Sequence, residues 1–321
     1  MLIKDKIYGN FQIDSPILID LIKSKPLQRL KGISQMGPPD KYYHLKGYSR
    51  YEHSVGVMLL LKYLGASIEE QIAGLLHDIS HTAFSHVIDW VIGSGHIENF
   101  QDNQHIDYFL KTEVKNILKK YGYNPVKIAN NKNYSLLERD LPKLCADRIE
   151  YSIREFPLLI AKKCFAGFTV FNNRIIFKNR KTAYLFAVNF LKRQKIHWGG
   201  YEAVTRYCLF AKVLKFALNN KLIKFSDFMK DENYIVTRIE TISDIKIKEI
   251  LSLLKKKNLT HLPKAKTISH KKFRYVDPEF IIDNKLIRLS IVDREFKQMI
   301  EEARKENKKG IKVGMICFFS P

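Results

Sequence analysis

Metal-binding side chains are concentrated in residues 49–89, a stretch that is otherwise largely apolar. Six of the ten histidines lie between His53 and His105. The doublet His77-Asp78 follows the apolar run IAGLL, whose pattern is typical of a buried helix. Burying an ionised carboxylate beside an imidazole is costly unless a cation or hydrogen bonds compensate for the lost hydration. The doublet therefore indicates either a metal site or a core histidine beside a capping aspartate.

Helical spacing decides which of these groups share a face. On a continuous helix, at about 100° per residue, the doublet and His81 fall within one arc of roughly 100°, and Asp89 returns to its edge. His86 would point away from that arc. It joins the same site only if the helix breaks or bends at residues 80–85.

Further ligands must come from other helices. His53 precedes the apolar run, and Asp147 lies in CADRIEYSIRE, where Asp147, Tyr151 and Glu155 stand at positions i, i+4 and i+8 of one helical face. A single His-Asp pair alone would favour the core-histidine interpretation. The additional histidines and Asp147 instead favour a centre for a divalent metal.

The order and spacing of these residues resemble the H…HD…D signature of the HD phosphohydrolase superfamily. More specifically, the segments SRYEHSVGV, IAGLLHDISHTAFSHVID and DRIEYSIRE resemble the deoxynucleoside triphosphate triphosphohydrolase (dNTPase) branch, over roughly residues 3–230 and weakly beyond. The most specific piece is HDxxHxxFSHxxD, found here at residues 77–89. The resemblance implies hydrolysis of a dNTP to deoxynucleoside and triphosphate, with one divalent metal held by His53, His77, Asp78 and Asp147.

The metal itself is not distinguished by these ligands. Fe, Mn, Zn and Ni all suit imidazole and carboxylate donors, and an additional Mg²⁺ ion is compatible with a nucleotide substrate.

The resemblance also implies roles in catalysis and substrate binding. His105 is expected to act as a proton carrier oriented by Asp89, with His81 and His86 on the phosphates. His96 is the other candidate for the proton carrier, but HIDYFLKTEVKNIL resembles the family's helix start better. The expected substrate contacts are Gln35 and Arg50 (sugar and phosphate), Arg148 (triphosphate), and Tyr151 and Glu155 (sugar pocket).

Two departures from the family pattern restrict these expectations. The family's Y-x-H element has Tyr201-Glu202-Ala203 as its nearest match, which leaves part of the sugar pocket unassigned. Lys23 and Lys31 stand where regulated relatives carry the acidic residue and arginine that bind a guanine activator. Activation of that kind is not expected, although Gln28 of the QRL motif is retained.

Length and pattern predict a mainly α fold: an HD-type helical domain at residues 1–230, with a small β-hairpin at FTVFNNRIIF, and a small α+β region at 231–321. We expect one long helix from Leu136 to Ile160, interrupted near its end by Pro157. The C-terminal region is expected to alternate strands, through VGMICFF, around a helix at 293–308. Four widely spaced cysteines without a CxxC pair, and no apolar run of 18 residues, favour a cytoplasmic protein without a membrane span.

The net charge of +22 favours a polyanionic partner. Residues 161–195 contain nine basic and no acidic side chains, and residues 245–274 contain ten basic and one acidic. These zones suit nucleic acid, triphosphates or acidic subunit surfaces, and no nucleic-acid-binding motif accompanies them. The family resemblance adds a homo-oligomer, dimer or tetramer, to the expectations. Two functional alternatives remain: another HD-domain nucleotide phosphohydrolase or phosphodiesterase, and a nucleic-acid-binding protein with a vestigial site.

Overall fold

The computed structural model describes residues 1–283 and 285–315, and helices dominate that part of the chain. The prediction of a mainly α fold is confirmed. The α-helices α1 to α16 are, in order, Pro16–Lys23, Lys25–Arg29, Arg50–Tyr63, Ile68–Leu76, Val87–Ile92, Phe100–Lys111, Val114–Lys120, Pro125–Ala129, Ala146–Glu155, Leu158–Gly167, Arg180–Arg193, Tyr201–Asn219, Glu232–Ile239, Ile245–Leu254, Leu289–Val292 and Arg294–Lys309. A π-helical segment, Gln194–Trp198, joins α11 to α12. Short 3₁₀ helices are Leu30–Gly32, Asp40–Tyr42, Asn131–Asn133 and Phe225–Met229.

Eight short strands form three small sheets in the described residues. Strands β1 to β8 are Leu2–Asp5, Gly9–Gln12, Phe168–Phe171, Arg174–Phe177, Lys264–Ser269, Glu279–Ile282, Lys285–Arg288 and Ile311–Gly314. Strands β1 and β2 pair with each other, as do β5 and β8, and the third sheet has the order β3-β4-β6-β7. The predicted hairpin is confirmed as the antiparallel pair β3-β4.

The C-terminal region is joined to the preceding part of the chain through this four-stranded sheet. Strand β6 runs parallel to β4, with Phe280 opposite Phe177. The sheet therefore extends across the boundary that we predicted at residue 230. The predicted strand VGMICFF is described only as far as residue 315, where β8 has already ended at Gly314; its remaining residues lie outside the described part.

The predicted long helix from Leu136 to Ile160 is wrong. Residues 134–145 form turns, and α9 begins only at Ala146. Pro142 explains the late start, because a proline inside a helix removes a hydrogen-bond donor and clashes with the preceding turn. Helix α9 ends before Pro157, as expected from the restricted backbone of a residue that precedes proline. Asp147 is thereby placed in the first turn of α9.

A second break separates α4 from α5. Helix α4 ends at Leu76, and residues 77–86 form turns before α5 begins. Phe84 and Ser85 adopt positive φ angles of 66° and 49°, which are uncommon for residues with a Cβ. Two hydrogen bonds hold this turn segment: the Ala83 amide donates to the Phe228 carbonyl at 2.7 Å, and the Ser85 hydroxyl donates to the Ser34 carbonyl at 2.6 Å. The helix therefore breaks at residues 80–85, as it must if His86 is to join the site.

Two apolar clusters form the main core. The larger includes buried residues of α1, α3, α4, α9 and α11, and the second is built mainly around α5, α12, α13 and α14. The principal cavity lies where these clusters meet, since its wall includes Met36, Tyr43 and Tyr207 of the second cluster and Tyr151 packed against the first. Among the helices that the structure describes, none combines the length and apolar character required to cross a bilayer.

Candidate active site

Helix α3 positions the first predicted ligand. Its N-terminus is a capping box: the Ser49 hydroxyl accepts from the Glu52 amide, and the Glu52 carboxylate accepts from the Ser49 amide. This cap at Ser49 sets the beginning of the helix at Arg50. His53 then lies on the buried side of the first turn, with no solvent exposure.

The structure brings the four predicted ligands together. His53 Nε2 lies 2.9 Å from Asp147 Oδ1 and 3.2 Å from His77 Nε2, and His77 Nε2 lies 3.5 Å from Asp147 Oδ1. The Asp78 carboxylate lies 3.7 Å from His53 Nε2 and 3.5 Å from His77 Nε2. Ligand atoms about 2.0–2.1 Å from one ion are separated by about 2.8–3.4 Å for angles between 90° and 109°. The spacing of His53, His77 and Asp147 is therefore close to that of a shared divalent ion, and the Asp78 carboxylate lies beside this group.

Hydrogen bonds to the other ring nitrogens orient both imidazoles. His77 Nδ1 donates to the Gly74 carbonyl at 2.8 Å, and His53 Nδ1 donates to Glu150 Oε2 at 2.5 Å. Both Nε2 atoms are thus left with their lone pairs toward the centre, as metal ligation requires. Glu150 is fully buried and is also bound by Arg154, which contacts Asp5 Oδ2 at 2.8 Å.

Charge also favours a cation at this centre. Burial alone would lower the pKa of His53, but the carboxylates of Glu150, Asp147 and Asp78 raise it to about 9. Although burial opposes ionisation of Asp78, the Arg50 guanidinium and the nearby imidazoles hold the pKa of Asp78 well below its usual range. The ionised carboxylates around the imidazoles therefore favour a bound positive charge at this centre.

Arg50 is held inside the site rather than on the surface. Its guanidinium donates to Asp78 Oδ2 at 2.5 Å and to the Ser85 hydroxyl at 2.7 Å, and its side chain is 3% exposed. The turn after α4 thus fixes Arg50 through Ser85. Arg50 contributes to the cavity wall, but most of its charge is already matched by Asp78.

A cavity of about 530 Å³ opens beside the predicted metal ligands. Ten of the predicted site residues line it: Gln35, Arg50, His77, Asp78, His81, His86, Asp147, Arg148, Tyr151 and Glu155. Three of the predicted site residues do not line the cavity: Asp89, His105 and the fully buried His53.

His81 and His86 face this cavity from the turn segment. Their rings are 5.1 Å apart and perpendicular. His81 Nε2 lies 3.3 Å from Asp78 Oδ1, and burial together with the Arg50 charge holds the pKa of His81 well below its usual range. His86 Nδ1 lies 3.5 Å from Asp89 Oδ2, and the side chain is 28% exposed. His86 is therefore accessible from the cavity and lies next to the Asp89 carboxylate.

His105 is placed differently from its predicted role. Its Nδ1 is 2.9 Å from the Ser80 hydroxyl, whereas Asp89 accepts from the Phe100 amide at 3.0 Å. The expected pairing of Asp89 with His105 is therefore wrong. Burial, reinforced by the nearby charge of His77, lowers the pKa of His105 to about 4, so the ring is neutral near pH 7. Residues at the start of α6 that do reach the cavity are Gln101 and Asp102.

We expect His86→Ala to reduce kcat by about a hundredfold or more, the range for loss of a general acid or base. His105→Ala is expected to reduce kcat by less than about tenfold, because His105 lies outside the cavity. Steady-state kinetics on both variants, with melting temperatures to monitor folding, makes the comparison. A larger kcat loss for His105→Ala than for His86→Ala, in a folded protein, would restore the original assignment.

The Arg148 guanidinium, which was expected to contact the triphosphate, is also engaged by groups of the protein itself. It donates to the carbonyls of Lys143 and Arg139, at 2.6 and 3.0 Å, and contacts Cys145 Sγ at 3.1 Å. Its guanidinium thus holds together the turns that precede α9, although it lines the cavity.

The opposite part of the cavity is aromatic. Glu155 accepts from His197 Nδ1 at 2.6 Å and from Trp198 Nε1 at 2.8 Å, and Tyr43 OH lies 2.8 Å from His197 Nε2. The π-helical segment therefore supplies the cavity wall, whereas Tyr201 donates to the Leu259 carbonyl and does not line it. The sequence analysis did not single out His197 or Trp198.

Three cations from the C-terminal region complete the wall: Lys271, Lys272 and Arg274. Lys271 and Arg274 both pair with Glu98, which is 6% exposed. Part of the second basic zone therefore faces the cavity. The charge excess of residues 245–274 was the signal in the sequence, but it did not indicate this location.

A family model described as HD domain matches residues 50–151. The Bacillus subtilis (strain 168) protein described as Uncharacterized protein YdhJ is 35% identical to this chain, over 98% of this chain and 99% of its own length. The chain belongs to the HD-domain phosphohydrolase superfamily. The matched HD-domain segment contains all four predicted ligands and Glu150, whereas Lys271, Lys272 and Arg274 lie beyond it.

Other relatives of this HD-domain protein are matched over smaller shares. Metal-dependent phosphohydrolase cns2 of Cordyceps militaris is 37% identical over 48% of this chain and 45% of its own length. The Deoxynucleoside triphosphate triphosphohydrolase SAMHD1 homolog of Dictyostelium discoideum is 24% identical over 85% of this chain and 62% of its own length. The chain thus spans less than two thirds of either protein. A crystal structure of a phosphohydrolase from Bacteroides thetaiotaomicron, 19% identical, has the same fold with a TM-score of 0.59, covering 79% of this chain and 76% of that one.

Proposed function

We propose that this HD-domain protein is a metal-dependent hydrolase of deoxynucleoside triphosphates, releasing a deoxynucleoside and inorganic triphosphate. The observation that carries the proposal is one cavity lined by candidate divalent-metal ligands, by cations and by aromatic side chains. Its volume of about 530 Å³ suits a small-molecule substrate. The similarity to the metal-dependent phosphohydrolase cns2 supports the reaction class, and the similarity to the deoxynucleoside triphosphate triphosphohydrolase SAMHD1 homolog supports the substrate.

The metal ligands and the neutral His81 would have different roles in binding the phosphates. A divalent ion held by His53, His77, Asp78 and Asp147 would neutralise phosphate charge and acidify an attacking water. His81 is kept neutral by burial and by Arg50, so its ring can share a hydrogen bond with a phosphate oxygen without adding a buried charge.

His86 is the proposed proton donor to the leaving group. Attack of water on the α-phosphorus breaks the bond to the 5′-oxygen, and that oxygen must gain a proton to leave as the deoxynucleoside hydroxyl. His86 would donate it from the nitrogen that does not face Asp89, while Asp89 orients the ring. Histidine suits this step because its ordinary pKa lies near 6.5.

The aromatic wall would hold the nucleoside. Tyr151, Trp198 and Tyr207 offer apolar faces to the base and sugar, and Glu155 keeps Trp198 in place. Gln35 also faces the cavity, and its buried Oε1 has no hydrogen-bond partner among the described residues. A sugar hydroxyl would satisfy that atom, which agrees with the role implied by the family resemblance.

Product identity tests the proposal. We expect the protein, with Mn²⁺ or Mg²⁺, to convert at least one dNTP to deoxynucleoside and triphosphate in a chromatographic assay of all four dNTPs. Release of a nucleoside monophosphate and pyrophosphate would instead assign another HD-domain reaction. Absence of products from every dNTP with Mn²⁺, Mg²⁺, Fe²⁺, Zn²⁺ and Ni²⁺ would refute the proposal.

A further inference from the structure

The two arginines expected to bind phosphate are both engaged by the protein itself. Arg50 pairs with the buried Asp78, and Arg148 donates to two backbone carbonyls. A dNTP brings about four negative charges, and buried phosphate oxygens need cationic or hydrogen-bonding partners. Other cations in the cavity wall must therefore contribute.

The segment 271–274, which we name the basic strap, presents such cations. Lys271, Lys272 and Arg274 line the same cavity as the metal ligands. Lys271 and Arg274 share the single carboxylate of Glu98, so the strap and its salt-bridge partner together carry three cations and one acid; Asp102 lines the same cavity. Lys272 is exposed at the cavity wall and forms no salt bridge with any residue that the structure describes.

The basic strap is fixed in place from several directions. The Lys271 ammonium lies over the Tyr207 ring at 4.4 Å, and the Lys271 carbonyl accepts from Asn307 at 3.1 Å. The Arg274 amide donates to Gln194 Oε1 at 3.3 Å. These contacts join the strap to α12, α16 and the π-helical segment. Because its backbone is already positioned, less conformational entropy is lost when it binds an anion.

The strap also lies near the groups that surround the metal centre. Lys272 lines the same cavity as Asp102, His86, Asp78 and Asp147. Arg274 likewise interacts electrostatically with Tyr151 and Tyr207 on the aromatic wall. A substrate whose nucleoside contacts these tyrosines, and whose α-phosphate lies at the metal centre, would extend its remaining phosphates along the strap.

We propose that the basic strap binds the distal phosphates of the substrate, with Lys272 as the cation that meets them directly, and that it thereby selects polyphosphates over monophosphates. This inference rests on the proposed function of the same cavity. Lys271 and Arg274 supply the surrounding positive field, and Glu98 is a positioning residue that holds both. The ligand class is an anion with at least two linked phosphates.

Direct binding of inorganic triphosphate to the full-length, metal-loaded protein tests the proposal. Isothermal titration calorimetry is performed on wild type, Lys272→Ala, Lys272→Glu and Lys272→Arg. The matched control is Lys297→Glu on the exposed side of α16, which makes the same charge change away from the cavity. Because Lys272 is exposed and lacks an ion pair, its replacement leaves the folded structure intact, and melting temperatures verify this.

We expect Lys272→Ala to raise the Kd of triphosphate about tenfold and Lys272→Glu to raise it further, since a charge-assisted hydrogen bond to the phosphate is lost. Lys272→Arg should stay within about threefold of wild type, and Lys297→Glu within about twofold. Orthophosphate binding should change by less than about threefold in every variant. Equal triphosphate affinity of Lys272→Glu and wild type, or an equal loss for orthophosphate, would overturn the assignment.

The measurement does not depend on turnover. If no dNTP is hydrolysed but Lys272→Glu still weakens triphosphate binding, the hydrolase proposal fails and the strap assignment stands. If dNTPs are hydrolysed but triphosphate binding is unaffected by Lys272→Glu, the strap assignment fails and the hydrolase proposal stands.

Discussion

Asp147→Ala is expected to remove both the bound metal and the hydrolytic activity, with losses of more than about a hundredfold in each. Even residues that only support metal ligands change affinity or activity by about 10–100-fold. Asp147 itself contributes an oxygen 2.9 Å from His53 Nε2 and 3.5 Å from His77 Nε2, so its loss removes one of the two carboxylates that face both imidazoles. Metal content after dialysis, measured by mass spectrometry, and dNTP turnover provide the two measurements.

Asp107→Ala is the matched control for that variant. Asp107 lies on α6, its side chain is 74% exposed, and its Lys111 partner is 3.8 Å away at the surface. We expect wild-type metal content and turnover for this control. Retention of a full equivalent of metal by Asp147→Ala would show that the ion is held by other groups.

Gly56→Ala is expected to weaken metal binding by about 10–100-fold without touching any ligand. A Cβ at this position of α3 would lie 1.9 Å from Glu150 Oε1 and 2.5 Å from an Arg154 guanidinium nitrogen. Both side chains are confined, because Glu150 is fully buried and Arg154 also binds Asp5. The added methyl group therefore displaces Glu150 and removes the acceptor that orients His53. Competition with a chelator of known affinity measures the effect.

Ser54→Ala on the same helix separates this effect from general disturbance of α3. The Ser54 hydroxyl is buried without a hydrogen-bond partner in the described structure, so its removal should leave metal affinity within about twofold. Glu150→Gln should reproduce the loss seen in Gly56→Ala without the steric clash. Unchanged metal affinity in both Gly56→Ala and Glu150→Gln would show that His53 does not depend on this carboxylate.

The part of the site that was predictable from sequence is the part encoded by short-range spacing. His77 and Asp78 are adjacent, and Asp147 shares a helical face with Tyr151, so periodicity and the motif were sufficient to place them near one another. The helix break before His86 was not predicted from the sequence; it was stated only as the condition for His86 to join the site. It is produced by the positive φ angles of Phe84 and Ser85 and by bonds to Ser34 and Phe228, which are distant in sequence.

The missed residues depend on contacts between distant segments. Glu150 orients His53 from 97 positions away, and Arg274 pairs with Glu98 across 176 positions. Neither pair has a local pattern that distinguishes it from surface charge. His105 illustrates the opposite error: its local sequence matched a family helix start, but the packing of α6 placed its ring against Ser80.

The strand order β3-β4-β6-β7 has a consequence for synthesis of the chain on the ribosome. Strand β4 ends at Phe177, and its neighbour β6 begins at Glu279, about a hundred residues later. At a translation rate of about 5–20 residues per second, β4 waits roughly 5–20 seconds for that neighbour. During this interval the apolar edge at Ile175, Ile176 and Phe177 is available to other chains, so protection of the nascent polypeptide is most needed before β6 emerges.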